Sequence, residues 1–386
     1  MKNLHLAGLD KEKKDIKIYE DIILEINSAG VSNYINEDAV LDLKNCIAFP
    51  GLINSHDHLE FNLYPQLGHN IYSDYVEWGD NIHQQDKEVI KSIEAIPVEL
   101  RMKYGIIKNL LCGVTAVAHH GTYNYCLHDA PITVIKNYTS IHSVRLGNKW
   151  KLKLKLNWIK NLEPYVIHIG EGINAESFEE INELIRWNLF KRKTIGVHGI
   201  SMTEKQSKNF EAVVWCPVSN FFLFNKTADI NSLKEKTKVL FGTDSTLTAE
   251  WNFWEHLRKA RKLNLLCDTE LLASVTSTAA DVWGLTNSGN ISKGTKADIV
   301  IAKQKADNLF DSFFQTDPED ILIIIKNGKV ILYDESLKEL LCKEIKQLNN
   351  FYKIDVHGKT KFVNYNITEI IKEIKKYNSS ISLLTE

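Results

Sequence analysis

Residues 48–60 read Ala48-Phe49-Pro50-Gly51-Leu52-Ile53-Asn54-Ser55-His56-Asp57-His58-Leu59-Glu60. An apolar run ends in two histidines one residue apart. In a strand, residues i and i+2 face the same side, so both imidazoles leave the strand end together. Neutral imidazoles converging on one point are the start of a divalent-metal site. Alone, a His-x-His is a weak motif, because two polar residues at a strand exit need carry no chemistry. The rest of the chain has to supply further ligands in an order that one fold can bring together.

Working outward, the chain alternates apolar runs with segments of helical spacing. Upstream of residue 113, Ile90, Ile93, Ile96, Leu100, Tyr104, Ile107 and Leu110 step by three or four, which predicts helix, with Pro97 dividing it. A strand follows from Gly113 to His119-His120. Further strands are expected at 165–170, 194–199, 212–217 and 239–244, with helices over 176–190, 203–211, 251–262 and 269–283. This alternation implies a parallel sheet with crossover helices. Polar residues cluster at the C-terminal strand ends, where a (β/α)8 barrel keeps its chemistry. The expected fold class is therefore α/β, a TIM-like (β/α)8 barrel over residues 48–289.

Residues 122–164 are too few for two full units at roughly 30 residues or more each, so the barrel is expected to be shortened or irregular around its third and fourth strands. Strand candidates there are 133–136 and 140–144, and the Lys-Leu alternation over 151–156 reads as a strand with one solvated face. Residues 1–47 and 290–350 carry short strands and turns, including the hairpin signal Asn327-Gly328. Residues 351–386 are expected to form a tail with one amphipathic helix at about 367–377.

With 386 residues, 44% hydrophobic and 25% charged, the chain has an ordinary globular composition. Its formal net charge of −2 gives no electrostatic bias toward nucleic acid or an anionic membrane. The six cysteines stand singly, which argues against a thiolate zinc site or a disulfide framework. No signal-peptide core or run of ~20 apolar residues is visible, so a cytoplasmic protein acting on a small molecule is the expectation. A homo-oligomer is compatible with this.

Four more features sit at strand ends: His168 and Glu171 as His-x-x-Glu, His198, and Asp244 in Phe-Gly-Thr-Asp. Each alone could cap the following helix. In conjunction they give a nitrogen and oxygen donor set suited to zinc or ferrous iron.

The stretches Pro50-Gly-Leu-Ile-Asn-Ser-His-Asp-His, Gly113-Val-Thr-Ala-Val, His168-Ile-Gly-Glu, Val197-His-Gly, Cys216-Pro-Val-Ser-Asn, Phe241-Gly-Thr-Asp and the late segment 280–300 occur in one order. In this the sequence resembles the amidohydrolase superfamily, in its chlorohydrolase and aminohydrolase branch, which includes guanine and S-adenosylhomocysteine deaminases. The resemblance implies that His56, His58, His168 and Asp244 bind one divalent metal, zinc or Fe(II). It implies catalytic roles for Glu171, His198 and Asp244, and a β-sandwich-like lobe joining 1–47 to 290–350. The expected reaction is hydrolysis of a non-peptide C–N bond by activated water, with loss of ammonia from an aminated heterocycle. A related hydrolase cleaving a cyclic amide, C–Cl or N-alkyl bond is the enzymatic alternative, and a non-catalytic binding protein the other. His120 and His142 are candidate substrate contacts. His119 has no family counterpart, and Asp57 and Glu60 read as supporting or surface groups.

Overall fold

The computed structural model describes residues 1–8, 12–31, 39–147, 149–156, 163–344, 350–379 and 381. Eight parallel strand segments follow one another around a common centre. They are β1 (Leu52–Asp57), β2 (Val114–His119), β3 (Thr133–Val134), β4 (Thr139–Ser143), β5 (Tyr165–Ile169), β6 (Thr194–His198), β7 (Ala212–Trp215) and β8 (Lys238–Phe241). One ladder runs β1–β2–β3 and a second β4–β5–β6–β7–β8. Past the end of β8, the Thr243 and Asp244 amides both donate to the His56 carbonyl at 3.1 Å, which brings the last strand back to the first. β1, β2, β5, β6 and β7 are buried along their whole length. That is why they read as continuous apolar runs rather than alternating ones. The arrangement fits a TIM-like barrel.

Residues 135–138 link β3 to β4 with no crossover helix between them. The expected strand over 151–156 is instead part of a helix, Trp150–Leu156. Trp150 and Leu154, four apart, are buried, while Lys151 and Lys155 place their ammonium groups 4.7 and 4.3 Å from the centre of the Trp187 ring. A Lys-Leu alternation satisfies a helix as well as a strand when only the i, i+4 pair has to be buried. The single helix expected over 269–283 is two, Asp268–Ser274 and Ser277–Val282. At the break, the Val275 carbonyl accepts the Ile53 amide at 2.8 Å, tying this connection to β1. Pro97 does divide Lys87–Glu94 from Val98–Leu111.

The two chain ends meet in a seven-stranded sheet. Its order is His5–Leu6, Cys46–Pro50, Ile299–Lys303, Ile321–Lys326, Lys329–Asp334, Lys359–Val363 and Tyr352–Val356. Asn327 and Gly328 both take positive φ, 48° and 73°, as a two-residue hairpin of this hand requires. The expected one-helix tail holds a hairpin of this sheet as well as the helix Ile367–Tyr377. Among the described residues no helix is long and apolar enough to cross a membrane.

Candidate metal centre and active site

The ends of β1, β5 and β6 and the turn after β8 converge. His56 and His58 leave the end of β1 on one side, and their Nε2 atoms lie 3.1 and 3.3 Å from Nε2 of His168, at the end of β5. Asp244 Oδ1 faces the same point, 3.7 Å from His56 Nε2 and 3.9 Å from His58 Nε2. His56, His58 and His168 form one group able to hold a metal, and His56, His198 and Asp244 another; all five side chains are buried. A tetrahedral zinc with Zn–N bonds of about 2.0–2.1 Å sets its ligand nitrogens roughly 3.3 Å apart. The spacing of the three Nε2 atoms fits that geometry. Each neutral imidazole has one unprotonated nitrogen, and three such nitrogens converging in a dry site are a donor set able to hold a cation. Burial, reinforced by the neighbouring histidines, holds His56 and His168 well below the ordinary histidine pKa. Burial also takes His58 down, against the pull of the Asp244 carboxylate. All three therefore present lone pairs.

The oxygen donor is prepared for its task. Burial disfavours the Asp244 carboxylate, but His58, His198 and two hydroxyls outweigh it and hold its pKa below the ordinary value. Ser219 Oγ and Thr248 Oγ1 donate to Oδ2 at 2.8 and 2.9 Å, leaving Oδ1 for the histidines. The backbone of Asp244 is left-handed, φ 58°, and so is that of His198, φ 72°. Non-glycine residues held there cluster at functional sites, where the surroundings enforce them.

His198 Nδ1 lies 2.8 Å from Asn220 Oδ1, and the Asn220 amide nitrogen donates to Thr227 Oγ1 at 3.2 Å. In this orientation Asn220 Oδ1 accepts from Nδ1, which leaves Nε2 facing the site. Glu171 Oε1 is 3.5 Å from this Nε2. Burial, then the charges of Asp244, Glu180 and Asp74, raises the Glu171 pKa well above the ordinary range. The residue is placed by two strand-like contacts: the Tyr75 amide donates to the Glu171 carbonyl at 3.3 Å and the Ile173 amide to the Ser73 carbonyl at 2.8 Å.

Two cavities open here. The smaller, about 210 Å³, is floored by His58, His168, Glu171, His198 and Asp244 and walled by Phe61, Tyr75, Trp78, Ile82 and Leu247. Of the aromatics in the 61–80 connection, Tyr64 and Tyr72 instead pack in the interior. The larger cavity, about 800 Å³, shares His58, Phe61, His142 and Leu146 with the first and extends past Glu60, His119 and His120 to Lys136 and Lys153. Of the two candidate substrate contacts, His142 borders both cavities. His120 is buried, stacks on His168 with ring centres 4.2 Å apart, and uses Nε2 on the Ile141 carbonyl at 3.1 Å. Its ring backs that of His168. Glu60 is mostly buried against His119, 3.6 Å from its Nδ1. Asp57 is fully buried and points away from the histidines on either side of it, so it is not a surface group. Ser219, Thr248 and Lys108 escape a reading by spacing. Asn220 ends a matched motif that carries no role by itself.

Residues 163–331 match the amidohydrolase family. The matched stretch contains His168, Glu171, His198 and Asp244; His56 and His58 lie before it. The chain is similar to the 5-methylthioadenosine/S-adenosylhomocysteine deaminase of Dictyoglomus turgidum, at 22% identity over 85% of this chain and 91% of that one. It is also similar to the 5'-deoxyadenosine deaminase of Methanosphaera stadtmanae, at 23% identity over 84% and 93%. In fold it resembles a zinc-bound adenosine deaminase from Xanthomonas campestris, with a TM-score of 0.70 and 14% identity over 98% of both chains.

Proposed function

We propose that this amidohydrolase is a deaminase that holds one divalent metal, zinc by the fit of its donors, on His56, His58, His168 and Asp244, and hydrolyses the exocyclic C–NH2 bond of an aminated heterocycle. The observation that carries the reading is the pairing of two buried carboxyl groups with opposite bias. Asp244 is biased toward its ionised form by histidines and hydroxyls, against its burial, while Glu171, three residues past a proposed ligand, is biased toward its protonated form by burial and neighbouring acids. Two acids driven apart in this way divide into a base and an acid.

A divalent metal at this point supplies Lewis acidity that brings the pKa of water to near neutrality. Asp244 Oδ1 is the buried base that takes the water's proton. His198, neutral and locked by Asn220, turns Nε2 toward the reacting carbon's substituents. Glu171 is within reach of that same nitrogen and delivers its proton to the departing amine. Phe61, Tyr75 and Trp78 supply flat apolar walls for a ring and exclude bulk water. The adjoining larger cavity accommodates whatever the ring carries. Both the nucleoside deaminases it resembles in sequence and its own site support this reading.

The test is ammonia release from a panel of aminopurines, aminopyrimidines, pterins and aminotriazines by metal-loaded protein. Release from at least one ring class is expected. Silence across the panel by protein carrying a full equivalent of metal would overturn the deaminase reading.

A further inference from the structure

Between the two metal-facing histidines, Asp57 points the opposite way, into the layer behind the strand. There it meets Lys108, from the helix Val98–Leu111. Both side chains are buried, with 0% and 1% exposure. Lys108 Nζ lies 3.2 Å from Asp57 Oδ2, 2.8 Å from Asn62 Oδ1, 3.3 Å from Thr243 Oγ1 and 3.1 Å from the Asp244 carbonyl oxygen. Four acceptors surround three ammonium protons. Asp57 is equally saturated: Asn62 donates to Oδ1 at 2.8 Å, and Asn109 and Asn54 donate to Oδ2 at 2.8 and 3.2 Å. Thr243 Oγ1 closes the circuit by donating to the Asp244 carbonyl at 2.9 Å.

We infer that Lys108 and Asp57 form a positioning pair for the metal centre, joining the His-Asp-His strand end to the backbone of Asp244. Asp244 reaches the donor cluster only through a left-handed backbone that an aspartate does not favour unaided. Its carbonyl, turned inward by that conformation, is held by the ammonium and by Thr243. The same ammonium is anchored on the residue between His56 and His58. One buried cation therefore sets the distance between two parts of the donor set that lie 186 positions apart at Asp244 and His58. A buried charge pair is a poor source of stability but an effective way of fixing register. Outer groups that orient metal-binding side chains typically set metal affinity by 10–100-fold.

The inference rests on the metal-site reading, and zinc affinity of the whole chain, measured by competition with a chromophoric chelator, separates the two. If the parent binds no zinc, the metal-site reading fails. If the parent binds zinc, the variants decide on the pair. Lys108→Met with Asp57→Asn removes both charges, so no lone buried ion remains. This double variant is expected to bind zinc at least tenfold more weakly while folded by circular dichroism. Thr243→Val keeps the shape but removes the hydroxyl that accepts from Lys108 and Asn54 and donates to the Asp244 carbonyl, and is expected to weaken zinc several-fold. Ile107→Val, in the same helix, should lower thermal stability and leave zinc affinity unchanged. Wild-type zinc affinity in the folded double variant would overturn the inference. If the double variant does not fold, Thr243→Val decides: affinity within twofold of the parent overturns it.

Discussion

Replacing Glu171 by glutamine isolates the proton from everything else at the site. Glu171 is buried and its pKa is raised by that burial and by three nearby acids, which favours the neutral acid. Glutamine is neutral, nearly the same size, and retains a hydrogen-bond donor. The resting protein should hardly register the change; about 1 kcal/mol is the scale of one altered hydrogen bond. Zinc content should be unaltered, because the three Nε2 atoms and Asp244 Oδ1 meet without help from Glu171. What glutamine lacks is a proton to give. General acid–base groups contribute about 10²–10⁴ in rate, which is roughly 3–5 kcal/mol of barrier. Glu171→Gln is therefore expected to lower kcat by at least 10²-fold and to change KM far less, measured as ammonia release at matched metal content. The sign of the pH dependence follows. A catalytic acid must be protonated, so the parent loses activity as pH rises through the raised pKa of Glu171, and the variant lacks that limb. A variant that keeps kcat within tenfold of the parent would refute the proton-delivery role.

Gly242 lies beneath His56: a β-carbon there would come within 2.7 Å of His56 Cβ and 3.0 Å of its amide nitrogen. Gly242→Ala should displace the strand end and lower zinc affinity at least tenfold, read by chelator competition. Glu180 accepts the Gly170 amide at 2.7 Å and its pKa is pushed up to about 7, first by burial. A raised folded-state pKa means the native state binds the proton more tightly than the unfolded chain. Stability from this group is full below about pH 4.5 and is lost as pH rises toward 7, by an amount on the order of 3 kcal/mol. Glu180→Gln should remove that slope, so the stability advantage of pH 5 over pH 8 in urea unfolding should shrink; an unchanged advantage would show that Glu180 is not the group responsible.

The donor residues were legible because they end apolar runs. His56, His58, His168, His198 and Asp244 each lie at or just past the end of a largely buried barrel strand, where a polar residue has few structural uses. The supporting groups were not legible, and Lys108 shows why. It sits in a helix whose neighbours Tyr104, Ile107, Leu110 and Leu111 are apolar. A lysine there reads as solvated, and only the arrival of Asp57 from β1 makes it interior. Ser219, within a quoted motif, and Thr248, four residues past Asp244, are hydroxyls whose bonds to Asp244 Oδ2 follow only from the fold. The Trp150–Leu156 helix was misread because a two-residue period and a four-residue period coincide over so short a segment. Residues 352–363 alternate charged and apolar side chains on a sheet edge, a pattern easily taken for an exposed tail.

The claim at the centre of this account is that one metal on one cluster of histidines makes the chain a deaminase. Chelator-stripped protein titrated with zinc, with ammonia release followed at a fixed concentration of a substrate from the panel, tests it directly. No release is expected without zinc, and with zinc a linear rise that breaks at one equivalent per chain. Release that is independent of added zinc, or a break at two equivalents, would contradict it.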